Sequence, residues 1–161
     1  MAYDDTFSKV IEEGSLINGK RDGDWQGTDK EMDFTYKETY INGELTSGTS
    51  TNKFGKTYQY TKTRKVLPQY NGGFKAFHQY LSQTVKYPAS AMKSGKQGIV
   101  LLSFVVEKDG SLSSIKVVRS VSSDLDKEAV RVCKSSSDWL PGSIYGRIVR
   151  VQFSVPIVFQ L

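Results

Sequence analysis

Apolar and polar residues alternate strictly near the carboxy terminus. Val149, Val151, Phe153, Val155, Ile157 and Phe159 fall on one face at period two, and Arg150, Gln152, Ser154 and Pro156 on the other. This is the pattern of a strand with one face on a core and one in water. Pro156 has no N–H for a ladder, which suits an edge strand. Upstream, Gly98–Glu107 is apolar on both faces and predicts a middle strand covered twice. Lys108-Asp109-Gly110-Ser111 supplies an Asp-Gly turn to a returning strand over Leu112–Arg119. With the first of these strands central and the second on one side, the last strand keeps a free flank.

Two longer helices and a short one are written between and before these strands. Leu125, Ala129, Val132 and Cys133 recur at helical spacing. Ser123 is the expected cap, with Asp126 three residues on in the capping-box position. The helix must stop near Ser137, ahead of Pro141-Gly142. Gly72-Gly73 opens an earlier amphipathic helix with Phe74, Phe77, Tyr80, Leu81 and Thr84 or Val85 on one face and His78 offset, half exposed. Tyr87-Pro88 leads into a short helix over Ala89–Ser94, where a proline in the first turn costs no hydrogen bond. Trp139 is expected to plug the core between helix and sheet.

The amino-terminal part carries a repeat. Ile17-Asn18-Gly19 returns as Ile41-Asn42-Gly43 after 24 residues. Asn-Gly favours a type I′ turn because both central residues need positive φ, so each copy reads as a hairpin, with Trp25, Phe34, Tyr36, Tyr40, Tyr58 and Tyr60 in the flanking strands. The pattern resembles MORN-like β-hairpin repeats. Two copies bury little surface, so they lean on a neighbour or belong to a longer array. Thr61–Pro68, polar, basic and ending in proline, reads as a junction. The expected domains are therefore 1–66, a hairpin-repeat region, and 67–161.

Charge separates the halves. Residues 1–66 hold ten Lys and Arg against eleven Asp and Glu, whereas 67–161 hold twelve against six. The basic excess of the second half favours acidic partner segments. Its cations are scattered and no nucleic-acid motif accompanies them, so nucleic acid is not an expected partner. The single cysteine, Cys133, allows no internal disulfide and reads as a small buried hydrophobe. No phosphate loop, metal-ligand spacing or nucleophile elbow is present. His78 lacks a carboxylate partner, while Asp4-Asp5 and Glu12-Glu13 read as solvated charges. No catalytic residue, cofactor or metal is expected. No hydrophobic run approaches the ~20 residues of a bilayer-spanning helix, and no basic-then-apolar leader opens the sequence.

Six elements in order, "PQYNGG" (Pro68–Gly73), "YPASA" (Tyr87–Ala91), "GKQGIVLLSFVVEKDGSL" (Gly95–Leu112), "LDKEAVRV" (Leu125–Val132), "WLPG" (Trp139–Gly142) and "RVQFSVPIVFQL" (Arg150–Leu161), make 68–161 resemble the carboxy-terminal domain of the TonB energy-transducer family. The resemblance implies an α+β fold, a three-stranded antiparallel sheet packed on two to three helices. It implies a periplasmic module that grips the amino-terminal TonB-box peptide of outer-membrane transporters by strand addition, with Arg147, Ile148, Val149, Arg150, Val151, Gln152, Phe153 and Ser154 as the receiving flank. It sets Lys86, Tyr87 and Pro88 near the peptide, although physics alone assigns Tyr87 to packing. The family reaches inner-membrane motor proteins through a membrane helix and proline-rich stalk, neither of which is written in these residues. A second reading therefore stands: a periplasmic structural or sensory adaptor, its edge pairing with a dedicated partner or with itself in a homodimer.

Overall fold

The structure, a computed structural model, describes residues 10–161. Asp4-Asp5 lie outside the described residues. The chain forms two compact units: one built from the residues up to Val66 together with Ser143–Ile148, the other from Leu67–Gly142 with Val149–Leu161. Among the described residues no helix is long and apolar enough to cross a membrane.

In the first unit β1 (Val10–Ile17), β2 (Lys20–Asp29), β3 (Phe34–Ile41), β4 (Glu44–Asn52) and β5 (Thr57–Tyr60) form one antiparallel sheet in sequence order. Both Asn-Gly pairs sit at hairpin tips with positive φ at each residue: 50° and 76° at Asn18-Gly19, 53° and 89° at Asn42-Gly43. Those values are the mirror-image turn that matches the twist of the strands. Trp25, Phe34, Tyr36, Tyr40, Leu45 and Tyr60 are buried on one face. A charged network lies among them. Glu38, 2% exposed, accepts from Arg64 Nε and Nη2 at 2.7 and 2.6 Å, from Tyr60 at 2.7 Å and from Tyr40 at 3.0 Å. Arg64 also donates to Glu12 at 2.8 Å, as does Tyr36 at 2.7 Å. Burial alone would raise the Glu12 carboxyl; the bonds from Tyr36 and Arg64 and the charges of Arg64 and Arg21 outweigh it and hold it below the usual range.

One core residue of this unit comes from far along the chain. β6 (Lys65–Val66) pairs with a later hairpin of β11 (Gly142–Ile144) and β12 (Arg147–Val149). At its tip Tyr145 and Gly146 take φ of 49° and 79°. Tyr145 is buried, stacked on Tyr36 at 5.2 Å and against Phe34 and Tyr60 at 5.6 and 5.8 Å. Its N–H donates to Arg64 O, its hydroxyl to Asp29, and its carbonyl accepts from Ser50 Oγ. A side chain at Gly146 would run into the Gln59 carbonyl. Residues 143–148, assigned by sequence to the 67–161 domain, therefore cluster with the first unit. The cause is chemical: a large aromatic with three polar handles finds its partners there.

In the second unit β7 (Gln69–Tyr70) precedes α1 (Gly73–Thr84) and α2 (Ala89–Lys93). Then come β8 (Gly98–Val106), β9 (Leu112–Arg119), α3 (Ser123–Ser135) and β10 (Trp139–Leu140), which pairs with β7. β13 (Val151–Phe159) ends the unit. β8 is the middle strand of a three-stranded antiparallel sheet, flanked by β13 and β9. Val100, Leu102, Phe104 and Val106 of β8 and Val155, Ile157 and Phe159 of β13 join Phe77, Ala91, Leu125, Ala129, Cys133 and Trp139 in one core. Trp139 is its hub, meeting Phe104, Phe77, Tyr70 and Phe153 at 5.0, 5.2, 5.6 and 6.0 Å, with its indole N–H on Ser136 Oγ.

Three expectations shift. The other face of β8 is not covered: Ile99 is 47% exposed. Leu101 is half-buried between Pro156 and Arg119 in register, so cross-strand neighbours supply the shielding that a second layer was expected to give. α3 begins one residue earlier than the capping pattern set it, with Ser122 at the cap. Asp126 instead takes the N–H of Val121 at 3.1 Å and the hydroxyl of Ser120 at 2.5 Å. Phe74 leaves the buried face of α1 and is 71% exposed.

Tyr145→Ala removes a full aromatic from the first core and takes the hydroxyl donor from Asp29 Oδ2, a loss of about 3–5 kcal/mol for a buried large side chain. Hydrogen exchange should accelerate at amides of β2–β5 while β8 keeps its protection. Unchanged exchange in β2–β5 would contradict the assignment of this hairpin to the first core.

Candidate functional site

β13 pairs with β8 over nine consecutive residues, from Val151 opposite Val106 to Phe159 opposite Gly98, without a bulge. Among the described residues no strand lies on its other flank. Pro156, opposite Leu101, keeps this register although it has no N–H. A proline is tolerated where the backbone groups turn away from the ladder. Lateral direction alternates along an antiparallel strand, so Gln152, Ser154 and Val158 share the outward direction of Pro156. Val151, Phe153, Val155, Ile157 and Phe159 turn theirs to β8. The free flank thus carries three amides and four carbonyls over Gln152–Val158, interrupted only at the proline nitrogen.

The residues assigned to this flank divide at Arg150. Val151, Gln152, Phe153 and Ser154 lie on β13. Arg147, Ile148 and Val149 form β12 and pair with β11 instead, which corrects the reading of one continuous strand. Periodicity carries through Val149 because both strands alternate in phase. The break is marked only by Arg150, which lies in neither strand and binds Glu107 through Nε at 3.1 Å and Nη2 at 2.9 Å. Hydrogen bonds from Arg150 and then Ser113 hold the Glu107 carboxyl below its usual range. Gln152 donates across the sheet to Ser103 at 2.9 Å. The side chains of Arg150 and Gln152 are therefore both engaged within the unit.

Lys86, Tyr87 and Pro88 follow α1. The Lys86 N–H donates to Glu128 at 2.6 Å while its side chain is exposed. Pro88 stands just ahead of α2 at its cap. Tyr87 packs edge-on against Phe159 at 5.8 Å, and its hydroxyl donates to the Lys96 carbonyl. It also walls a groove of about 340 Å³ with His78, Leu81, Ser82, Val85 and Pro156–Gln160. The flank expected from the sequence ends at Ser154, whereas the groove extends to Gln160 and includes Leu81 and Val85 next to the end of α1. The signal was present in the alternation that runs on to Phe159 and in Leu81 and Val85 on the helical stripe.

Among the described residues no three His, Cys, Asp or Glu are grouped to hold a metal. Cys133 is 1% exposed, and burial pushes its thiol up to about 12, the reverse of what a nucleophile needs.

Residues 83–161 match the family model for the Gram-negative bacterial TonB protein C-terminal. The "Protein TonB" of Helicobacter pylori strain J99 / ATCC 700824 is 34% identical over 82 residues, which is 50% of this chain and 28% of that protein. That of strain ATCC 700392 / 26695 is likewise 34% identical over 82 residues, 50% of this chain and 27% of the relative. The chain thus spans little more than a quarter of the curated relatives' length. Two NMR solution structures of Helicobacter pylori TonB-CTD also align. One is 28% identical over 52% of this chain and 76% of its own, with a TM-score of 0.42. The other is 29% identical over 53% and 90%, with a TM-score of 0.44.

The thiol gives a check on the packing beneath the sheet. At pH 8 a maleimide should label Cys133 of the native chain only at the rate of unfolding. Rapid labelling of native protein would contradict the burial of α3 against β8.

Proposed function

We propose, from the match of residues 83–161 to the family model for the Gram-negative bacterial TonB protein C-terminal, that the second unit is the periplasmic binding module of a TonB-like energy transducer. It captures the TonB-box peptide of an outer-membrane transporter as a fourth strand on β13 and so supports energy-dependent transport. The observation that carries this reading is the unpaired flank of β13, with Pro156 turned outward in an unbroken register. An extended peptide laid there meets a preformed row of donors and acceptors, and main-chain pairing supplies the affinity. Each such bond contributes only about 0.5–1.5 kcal/mol net. Several in parallel share a load applied along the strand, which suits a joint that transmits pull. The twelve cations against six anions of residues 67–161 favour encounter with acidic segments. The amino-terminal sheet, likened by sequence to MORN repeats, is read as a structural layer.

Gln152 and Pro156 share one lateral direction, so Gln152→Pro deletes an outward amide and leaves the β8 ladder intact. In isothermal titration with a synthetic transporter amino-terminal peptide, this variant should bind roughly tenfold more weakly. Its melting temperature should stay within about 3 °C of the parent. Undiminished capture by a folded Gln152→Pro variant would overturn strand addition at β13.

A further inference from the structure

The first unit carries a cationic groove that peptide capture does not use. Residues 1–66 hold ten Lys and Arg against eleven Asp and Glu, so their charges nearly cancel. Yet Arg21, Lys62, Arg64 and Lys65 line a single groove of about 730 Å³, and Glu44 is the one carboxylate among its lining residues. Tyr40 and Leu45, both buried, line it too. A volume of this size is that of a small-molecule pocket rather than of a single-ion site.

Its two guanidiniums are fixed from behind. Arg64 binds Glu38 through Nε and Nη2 at 2.7 and 2.6 Å, and its Cζ lies 4.4 Å from the centre of the Tyr36 ring. Arg21 binds Glu12, donates from Nη1 to the Tyr40 hydroxyl at 3.1 Å and lies over Trp25 at 4.4 Å. Glu12 and Glu38 balance these two charges. Among the described residues no acceptor takes up Arg64 Nη1 or Arg21 Nε. A guanidinium held by a carboxylate and a ring offers its remaining N–H groups to an oxyanion with little further loss of freedom.

Lys62 and Lys65 supply the excess charge. Both are exposed, and neither forms an ion pair among the described residues. Lys62 takes a φ of 68°, with its N–H on the Leu45 carbonyl at 3.0 Å. That left-handed conformation favours glycine, so a lysine stands in the groove wall against its local preference. Two unpaired ammoniums beside two fixed guanidiniums suit an oxyanion of more than one charge with several acceptor oxygens, which is the chemistry of a phosphoryl group and not of a lone carboxylate.

We propose that this groove binds the phosphoryl group of a phosphomonoester or pyrophosphate ligand. Lys62 and Lys65 neutralise the group, and Arg64 and Arg21 orient its oxygens. The site lies wholly within the first unit and is independent of strand addition at β13.

The test is a titration of the full chain with inorganic pyrophosphate at constant ionic strength, followed by amide NMR. Amides of residues 40–45 and 62–65 should shift together and saturate. Lys62→Gly removes a cation and relaxes the left-handed backbone, so binding should weaken roughly tenfold while the melting temperature does not fall. Lys62→Arg should retain binding, and Glu44→Gln should tighten it. The double change of Lys62→Gly with Lys65→Gln should abolish saturation. Shifts scattered over lysines outside the groove, or saturation that survives the double change, overturn the site. Vesicles of phosphatidylcholine containing phosphatidate separate the two sources of the group. Sedimentation with them that pyrophosphate reverses and the double change abolishes assigns the groove to a lipid headgroup. Saturable pyrophosphate binding without sedimentation assigns it to a soluble phosphoester. Neither binding nor sedimentation overturns the proposal.

Discussion

β13 has two flanks, and the chain fills one. The side chains of Val155, Ile157 and Phe159 are fixed in the core under the helices, which fixes the face the strand shows. A one-residue slip would turn that apolar row to water, so the register with β8 has no alternative. With face and register set, the direction of every backbone group on the outer flank is set too. Edge strands are commonly blunted by charge, bulges or proline. Here Pro156 removes a single donor, and Gln152, Ser154 and Val158 keep theirs. The flank is preorganised and unbroken in register, with the conformational cost of ordering it already met in folding.

The start of β13 is as constrained as its face. The chain enters it through Arg150 directly from β12, whose hairpin tip, Tyr145, is buried in the core of the first unit by three hydrogen bonds and three aromatic contacts. The charged network at Glu38 and Arg64 belongs to the same core: removing Arg64 would leave the buried Glu38 carboxylate without a cation.

Much of this was legible in the sequence because it rests on local rules. Strict alternation marked β13, Asn-Gly pairs marked the two hairpin tips, and helical spacing marked the buried face of α3. What escaped depends on partners distant in sequence. Val149 continues the period of β13 but pairs with β11, and no local signal distinguishes the two ladders. Tyr145 carries no local signal of burial, because its partners Tyr36, Asp29 and Ser50 are distant in sequence. Phe74 fits the stripe of α1 by spacing, yet Phe77 and Tyr80 already occupy the space against Trp139, so Phe74 is left outside. The apolar second face of β8 suggested another layer; neighbouring strands shield it instead. The groove beside Pro156–Gln160 needs α1 and β13 together, and so is written in neither alone.

The most direct measurement is amide hydrogen exchange by NMR across β13, without and with the transporter peptide. In the free chain the amides of Val151, Phe153, Val155 and Ile157, which face β8, should be protected, and those of Gln152, Ser154 and Val158 should exchange freely. Peptide should slow the second set and leave the first unchanged. Binding that leaves Gln152, Ser154 and Val158 exchanging as before, or finding them already protected in the free protein, would contradict an open flank that receives a strand.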